Sequence, residues 1–354
     1  MIRAAVIGLG RVGFEFSLEE GRGQLASHLS CYIEFLGRQN VAVCDTNIAQ
    51  LSKVQLHYFI AEEDGNKLSY YQNYEEMLNR FKPHVVSICT PTNTHEKIAC
   101  EVVSFPSVKS LFVEKPIAQS MSEANRIIEA CKSHGVKLTV NHQRRWDPTY
   151  QFLAANLKDP KTIIGIHHGP ILRTGIHMLD LFNWIVGKRP VSAQAFGKSF
   201  TNYVTDATAQ PPFNDVNISG IITYEEGIEA ILVSGPQKPF VLFEFDAIYD
   251  NGRLRVTENG DRVEVWDAFT SDRYAGLGEL KPVSVRMRKE PSSLFEAIKE
   301  VCNFESFAAP NSCSGEEGKK ALQLALALNY SAAHNNQIVP LDNGWADAWT
   351  VRSY

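Results

Sequence analysis

Lys115 stands at the end of an apolar run, Leu111-Phe112-Val113, preceded by Glu114 and followed by Pro116. An ammonium held at a strand end can hydrogen-bond a hydroxyl or carbonyl oxygen. It can then stabilise the oxyanion that develops as hydride leaves or reaches the same carbon. Hydride needs a carrier, and the chain opens on a pattern suited to one. An apolar strand from Ile2 runs into Gly8, Gly10 and Gly13 at G-x-G-x-x-G spacing, with Arg11 and Val12 between the last two. The first glycine serves a tight turn, the second lets backbone approach a pyrophosphate, and the third lets the next helix pack closely. A second apolar strand, Val41 to Cys44, ends in Asp45. A carboxylate there accepts from both hydroxyls of an adenosine ribose and repels a 2′-phosphate, and Thr46 and Asn47 supply no arginine to bind one. The expected cofactor is therefore NAD(H) rather than NADP(H).

Other polar residues fall where apolar strands end. Thr90, Pro91, Asn93 and His95 follow the run Val85 to Cys89 and open a helix, with His95 shaping the loop rather than titrating. Glu114 and Lys115 close the next strand, and Asn141 to Arg145 the one after. In open α/β sheets ligands bind outside the carboxyl ends of the strands, so these loops complete the expected cofactor site. Arg144 is a candidate for a substrate phosphate, or else pins a domain boundary with Arg145 and Trp146.

The elements that must position these residues alternate strand and helix up to about residue 145. Asn73 and Glu76, and Ser120 and Glu123, have N-cap spacing ahead of apolar stripes, while the segment before Asn73 reads as a polar loop. Alternation of this kind implies a doubly wound parallel sheet. One stretch departs from the pattern. Phe14 to Gly23 has no helical stripe and contains two glycines, so it reads as a loop inserted before a helix that resumes near Ser27, able to cover the cofactor. It leaves Asp45 32 positions after Gly13, against a usual spacing of about 20. After Trp146 the pattern changes to two helices, a run of strands joined by hairpins, and two closing helices. Asn259-Gly260 reads as a two-residue hairpin turn. The expected fold class is α/β. It has a Rossmann domain over 1–145 and an α+β domain with a large, mostly antiparallel sheet over 146–354.

With 354 residues, 44% hydrophobic and 21% charged, the chain has the composition of a globular protein of two domains. A net charge of −5 argues against a nucleic-acid partner. No apolar run reaches membrane length and no signal peptide precedes the first strand, which gives the expectation of a cytoplasmic protein. Seven scattered cysteines without a C-x-x-C pair read as buried free thiols. His167, His168 and His177 fit no standard metal spacing, so no metal is expected.

The set GLGRVG, Asp45, CTPTNTH (89–95), EKP (114–116), NHQRRWDP (141–148) and GIHMLDLFNWIVG (175–187) resembles the Gfo/Idh/MocA oxidoreductases. Motif by motif the resemblance covers roughly the first half of the chain, and the second half matches in element order. It implies a substrate site between the domains and a small-molecule carbohydrate substrate, whether sugar, polyol or nucleotide sugar. It also implies Lys115 as the catalytic lysine, His177 as the acid/base histidine, and Asp180 in H-x-x-D spacing to orient it. A homodimer or homotetramer is implied in the same way.

One departure stands out. Active polyol and sugar dehydrogenases of this family commonly carry an aspartate four residues before that histidine, and here the position is Arg173. An arginine cannot assist a base but can bind a carboxylate or phosphate. Three readings stay open: catalysis by Lys115 and His177 alone, an anionic sugar gripped by Arg173, or a non-catalytic sensor of sugar or dinucleotide. The family's NAD-dependent glycosidases are a further alternative.

Overall fold

The computed structural model describes residues 1–23, 25–59, 66–157, 159–197, 213–235, 240–287, 292–304, 311–342 and 349–352. It divides into two compact units.

The first unit begins β1 (Ala4–Ile7), α1 (His28–Leu36), β2 (Val41–Cys44), α2 (Ile48–Phe59), β3 (Ser69–Tyr71), α3 (Tyr74–Phe81), β4 (Val85–Ile88), α4 (His95–Val102), β5 (Ser110–Val113), α5 (Met121–Ser133) and β6 (Lys137–Val140). All six strands are parallel, in the order β3-β2-β1-β4-β5-β6. This is the doubly wound dinucleotide-binding arrangement, with its switch point between β1 and β4. Every residue of β1, β2, β4 and β5 is buried, as a sheet covered on both faces requires. The anticipated caps form. Asn73 Oδ1 accepts from the Glu76 amide at 2.8 Å, and Ser120 Oγ from the Glu123 amide at 3.3 Å. The expected polar loop before Asn73 contains β3 instead. Its three half-exposed residues form the sheet edge and are too few to show a strand period.

The second unit begins with α6 (Pro148–Asn156), β7 (Thr162–His168), α7 (Ile176–Val186), β8 (Pro190–Phe196), β9 (Phe213–Asn214), β10 (Ser219–Tyr224), β11 (Glu229–Gly235), β12 (Phe243–Tyr249), β13 (Gly252–Thr257), β14 (Arg262–Thr270) and β15 (Gly278–Met287). The chain ends with α8 (Ser293–Cys302), α9 (Gly315–Ala333), β16 (Val339–Pro340) and β17 (Val351–Arg352). Nine strands form one sheet in the order β15-β14-β13-β12-β7-β11-β10-β8-β16. Only the β7–β11 pairing is parallel, so the sheet is mixed and mostly antiparallel. Burial alternates along β7, β10, β11, β12 and β13, which gives the sheet one covered face. α7 and α9 cover it. A Cβ on Gly165 would collide with Met178 and Phe182, and one on Gly220 with Leu328.

The two-residue turn expected at Asn259-Gly260 is a four-residue one. Thr257 pairs with Arg262, and Glu258, Asn259 and Gly260 all adopt positive φ. The two-residue connection is Asp250-Asn251, between paired Tyr249 and Gly252. α8 and the first turn of α9 return to the first unit, which comprises Met1–Trp146 and Pro291–Lys319, whereas the sequence suggests a single cut near 145. The cause is polar as well as apolar. Buried Arg145 donates to the Ser312 carbonyl at 2.9 Å and to Glu317 Oε2 at 3.0 Å, and Trp146 Nε1 donates to Glu300 Oε2 at 2.8 Å. All seven cysteines are free, and all but Cys100 are buried. Among the described residues no helix is long and apolar enough to cross a membrane.

Candidate active site

The three glycines of the first unit meet three different surroundings. Gly8 has φ +92°, and a Cβ there would lie 2.8 Å from the backbone of Cys89 and Thr90, across the switch point. A Cβ on Gly13 would lie 2.1 Å from the Gly8 carbonyl oxygen. At Gly10 a Cβ would meet nothing within 4 Å. Two glycines are thus fixed by the protein's own packing, and the third leaves the open space that a pyrophosphate needs against backbone. Arg11 and Val12 lie in the same turn, with Arg11 exposed.

Asp45, at the carboxyl end of β2, faces this turn. Its Oδ2 accepts from the Leu9 amide and its Oδ1 from the Asn47 amide, both at 2.8 Å. The carboxylate is thereby fixed at the lip where an adenosine ribose binds in such sheets, with lone pairs to spare for ribose hydroxyls.

The inserted segment leaves the helix and rejoins it. Phe14 and Glu15 amides donate to the Gly10 carbonyl, then after the excursion His28 donates to Val12 at 3.0 Å and Leu29 to Gly13 at 3.1 Å. Ser27 caps the resumed helix in a capping box with Ser30. Just before the excursion Phe14 is buried against His57 and Tyr58 of α2. Glu15 Oε1 accepts from Gln50 at 2.9 Å and from Lys53 at 3.1 Å, also on α2. Lys53 is thus already paired by a carboxylate beside the Asp45 corner. The guanidinium groups of Arg11 and Arg22 both lie over the Phe16 ring.

Thr90, Pro91 and exposed Asn93 form the loop after β4, where Thr94 Oγ1 donates to Thr90 Oγ1 and the Pro91 carbonyl, each at 2.7 Å. His95 is buried and ties this loop to the next one. Its Nε2 lies 2.9 Å from the Thr90 carbonyl, and its Nδ1 3.1 Å from that of Pro116 and 3.3 Å from that of Ile117. Burial pushes its imidazole below the ordinary value, against the opposing pull of these carbonyls. The Lys115–Pro116 peptide is cis, and Lys115 is half-buried.

Glu114 is buried, with Oε1 at 2.9 Å from His28 Nε2 and 2.6 Å from Asn141 Nδ2. Burial pushes this carboxyl up. The bonds from His28 and Asn141 and the charge of Lys115 outweigh it, and the group stays below the usual carboxylate value. His28 was not among the residues singled out from the sequence. Its signal was a place three positions after the last glycine, concealed by the inserted residues.

Gly8, Gly10, Gly13, Asp45, Thr90, His95 and Glu114 are therefore brought together at the carboxyl ends of β1, β2, β4 and β5. Arg144 is half-buried just beyond β6, next to the Arg145 that holds α9.

Arg173, His177 and Asp180 belong to the second unit. Arg173 is exposed on a single π turn, Ile171–Gly175, which runs into α7. Such turns are frequent at functional sites. This one is anchored by Ile171 donating to the Val216 carbonyl at 2.7 Å and Leu172 to Asp215 Oδ1 at 2.9 Å. His177, in the first turn of α7, is half-buried. Asp180 is 1% exposed and lies near the buried Tyr224, whose hydroxyl donates to Asn183 Oδ1 at 3.0 Å. Behind the π turn His167 is wholly buried against Gly175, and burial pushes its imidazole down to about 4. Among the described residues no three His, Cys, Asp or Glu side chains cluster to hold a metal ion.

A doubly wound sheet with a three-glycine turn, an acid at the end of β2 and a lysine at a neighbouring strand end is the arrangement of an NAD-binding oxidoreductase. Residues 2–142 match the Gfo/Idh/MocA family model, an oxidoreductase family with an NAD-binding Rossmann fold, and NAD is the cofactor of this part of the chain. It is 24% identical over 336 residues to the uncharacterized oxidoreductase YrbE of Bacillus subtilis strain 168, covering 83% of this chain and 90% of that one. The fold matches UDP-N-acetylglucosamine 3-dehydrogenase GnnA from Acidithiobacillus ferrooxidans with a TM-score of 0.73 and 20% identity, over 95% of this chain and 99% of that one. It also matches scyllo-inositol dehydrogenase from Lactobacillus casei, solved with NAD(H) and scyllo-inositol, with a TM-score of 0.69 and 17% identity over 97% and 100% of the two chains.

Proposed function

We propose that this NAD-dependent oxidoreductase acts on a secondary alcohol or ketone of a sugar, polyol or nucleotide sugar. The observation that carries the reading is Lys115, held at the end of β5 beside the glycine turn's own strand neighbours, where a nicotinamide-bearing cofactor would lie along the switch point. When bound, the cofactor supplies hydride exchange at C4 of its nicotinamide. Lys115 holds the substrate oxygen and stabilises negative charge on it. His177 transfers the hydroxyl proton, with Asp180 orienting it from one helical turn away. The substrates named for two proteins of the same fold, a UDP-amino sugar and an inositol, support the carbohydrate class.

Arg173 favours an anionic member of that class. Its exposed guanidinium takes the place of the family's usual aspartate and suits the carboxylate of a uronate or the diphosphate of a nucleotide sugar. Screening NAD+ reduction with neutral polyols, uronates and UDP-sugars tests both levels. Turnover confined to anionic sugars supports the Arg173 assignment, and turnover confined to neutral polyols removes it.

The second unit's sheet leaves apolar side chains exposed near its β15 edge, among them Phe269, Leu280, Val283 and Val285. Pairing of this surface with another copy, as a homodimer or homotetramer in the cytoplasm, accounts for them. A monomeric mass by light scattering at micromolar concentration would remove that assignment.

A further inference from the structure

A line of buried polar groups runs beneath the site and ends on the residue next to Lys115. Tyr32 and His28 project from α1 one turn apart, Ser87 from β4, Glu114 from the end of β5, and Asn141 from the end of β6. Tyr32 Oη lies 2.9 Å from Ser87 Oγ, Ser87 Oγ lies 3.0 Å from His28 Nδ1, and His28 Nε2 lies 2.9 Å from Glu114 Oε1. His28, Tyr32 and Ser87 are completely buried.

Donor and acceptor capacities are compatible with a single direction along the line. Glu114 accepts, so His28 Nε2 carries a proton. Tyr32 keeps its hydroxyl proton, because burial pushes its phenol well above the ordinary value. One consistent assignment then runs from Tyr32 to Ser87, from Ser87 to His28 Nδ1, and from His28 to Glu114, each group donating to the next. Asn141 adds a second donor to the same carboxylate oxygen.

Such an arrangement is a poor choice for stability alone. Buried ionisable pairs are often replaceable by apolar residues of similar volume without loss of stability, and their best-attested use is to fix one geometry among several. The geometry at stake here is the turn after β5. Glu114 sends its carboxylate into the unit, and the next residue in the chain is Lys115.

We infer that His28 is a positioning residue for Lys115: through Glu114 it fixes the turn from which the lysine ammonium reaches the substrate oxygen. The inference rests on the proposed role of Lys115. It also explains why the helix rejoins the glycine turn in register after the insertion, since any other register would move His28 off Glu114.

The test uses the NADH-bound protein with lysines reductively methylated with 13C, the Lys115 signal being assigned from Lys115→Arg. Variants are Glu114→Gln, His28→Leu and the milder Ser87→Ala, which keeps the His28–Glu114 contact. The expected result for the first two is a Lys115 resonance moved toward the position of a freely solvated lysine. With a substrate identified by the carbohydrate screen, kcat should fall ~10–100-fold while KM for NADH changes less than ~3-fold. Ser87→Ala should show the same changes in smaller degree, and Glu114→Asp should recover part of the loss. Variants that melt lower yet keep both the Lys115 resonance and kcat would overturn the inference and leave the line a purely structural one. A wild type without carbohydrate turnover would defeat the proposed function, while the Lys115 resonance would still decide this inference.

Discussion

The amide of His28 donates to the carbonyl of Val12 at 3.0 Å, a bond that an uninterrupted α-helix would make from residue 16. The excursion therefore amounts to 12 residues, and removing them reduces the 32-residue separation of Gly13 and Asp45 to 20, the usual value for this motif. Joining Glu15 directly to His28 should give a protein that folds and binds NADH within about tenfold of wild type. An insoluble or melted deletion variant, judged by circular dichroism, would mean that the segment is part of the core.

The three glycines should respond unequally to alanine. Gly13→Ala drives a methyl into the Gly8 carbonyl, backbone that cannot step aside, and should destabilise by about 3 kcal/mol or more. Gly10→Ala meets open space and should leave the unfolding midpoint nearly unchanged while weakening NADH by ~10-fold or more. Paired urea melts and fluorescence titrations separate the two effects. Equal loss of stability in both variants would contradict the assignment of Gly10 to the cofactor.

Asp45 anchors the Leu9 amide and is the proposed ribose partner, so Asp45→Ser should reduce the preference for NAD over NADP by at least about tenfold. A wild type that uses both cofactors equally would refute the assignment before any variant is made.

His167 makes the second unit acid-sensitive. The unfolded chain takes up this proton below its ordinary value of 6.5, while the folded chain resists until about 4. Stability is therefore complete above about 6.5 and falls as pH drops toward 4, by about 3 kcal/mol in total. His167→Asn should flatten the urea midpoint over that window, whatever it does at neutral pH. An unchanged slope would show that other groups dominate acid unfolding.

Local chemistry made much of this legible in the sequence. Gly8, Asp45 and the Glu114-Lys115-Pro116 turn stand at strand ends because apolar four-residue runs announce buried parallel strands. Asn73 and Ser120 announce helix starts by their spacing to Glu76 and Glu123. What stayed hidden was non-local. Nothing in the residues of α8 says that Glu300 will take Trp146 and Ser312, so its return to the first unit had no sequence signal. His28 lay among apolar residues of a helix, and its partner Glu114 is 86 positions away. At Asn259 the turn dipeptide was present, but the register around it placed four residues where two were expected.

Lys115 is proposed to hold the oxygen of a carbohydrate carbon that exchanges hydride with NAD. Single-turnover oxidation of protein-bound NADH by a panel of keto-sugars and nucleotide keto-sugars tests it most directly, with Lys115→Ala alongside. The expected result is a keto-sugar that oxidises the bound NADH in wild type, and a variant that binds NADH normally but reacts at least ~100-fold more slowly. NADH that stays reduced across the panel, or a variant as fast as wild type, would contradict it.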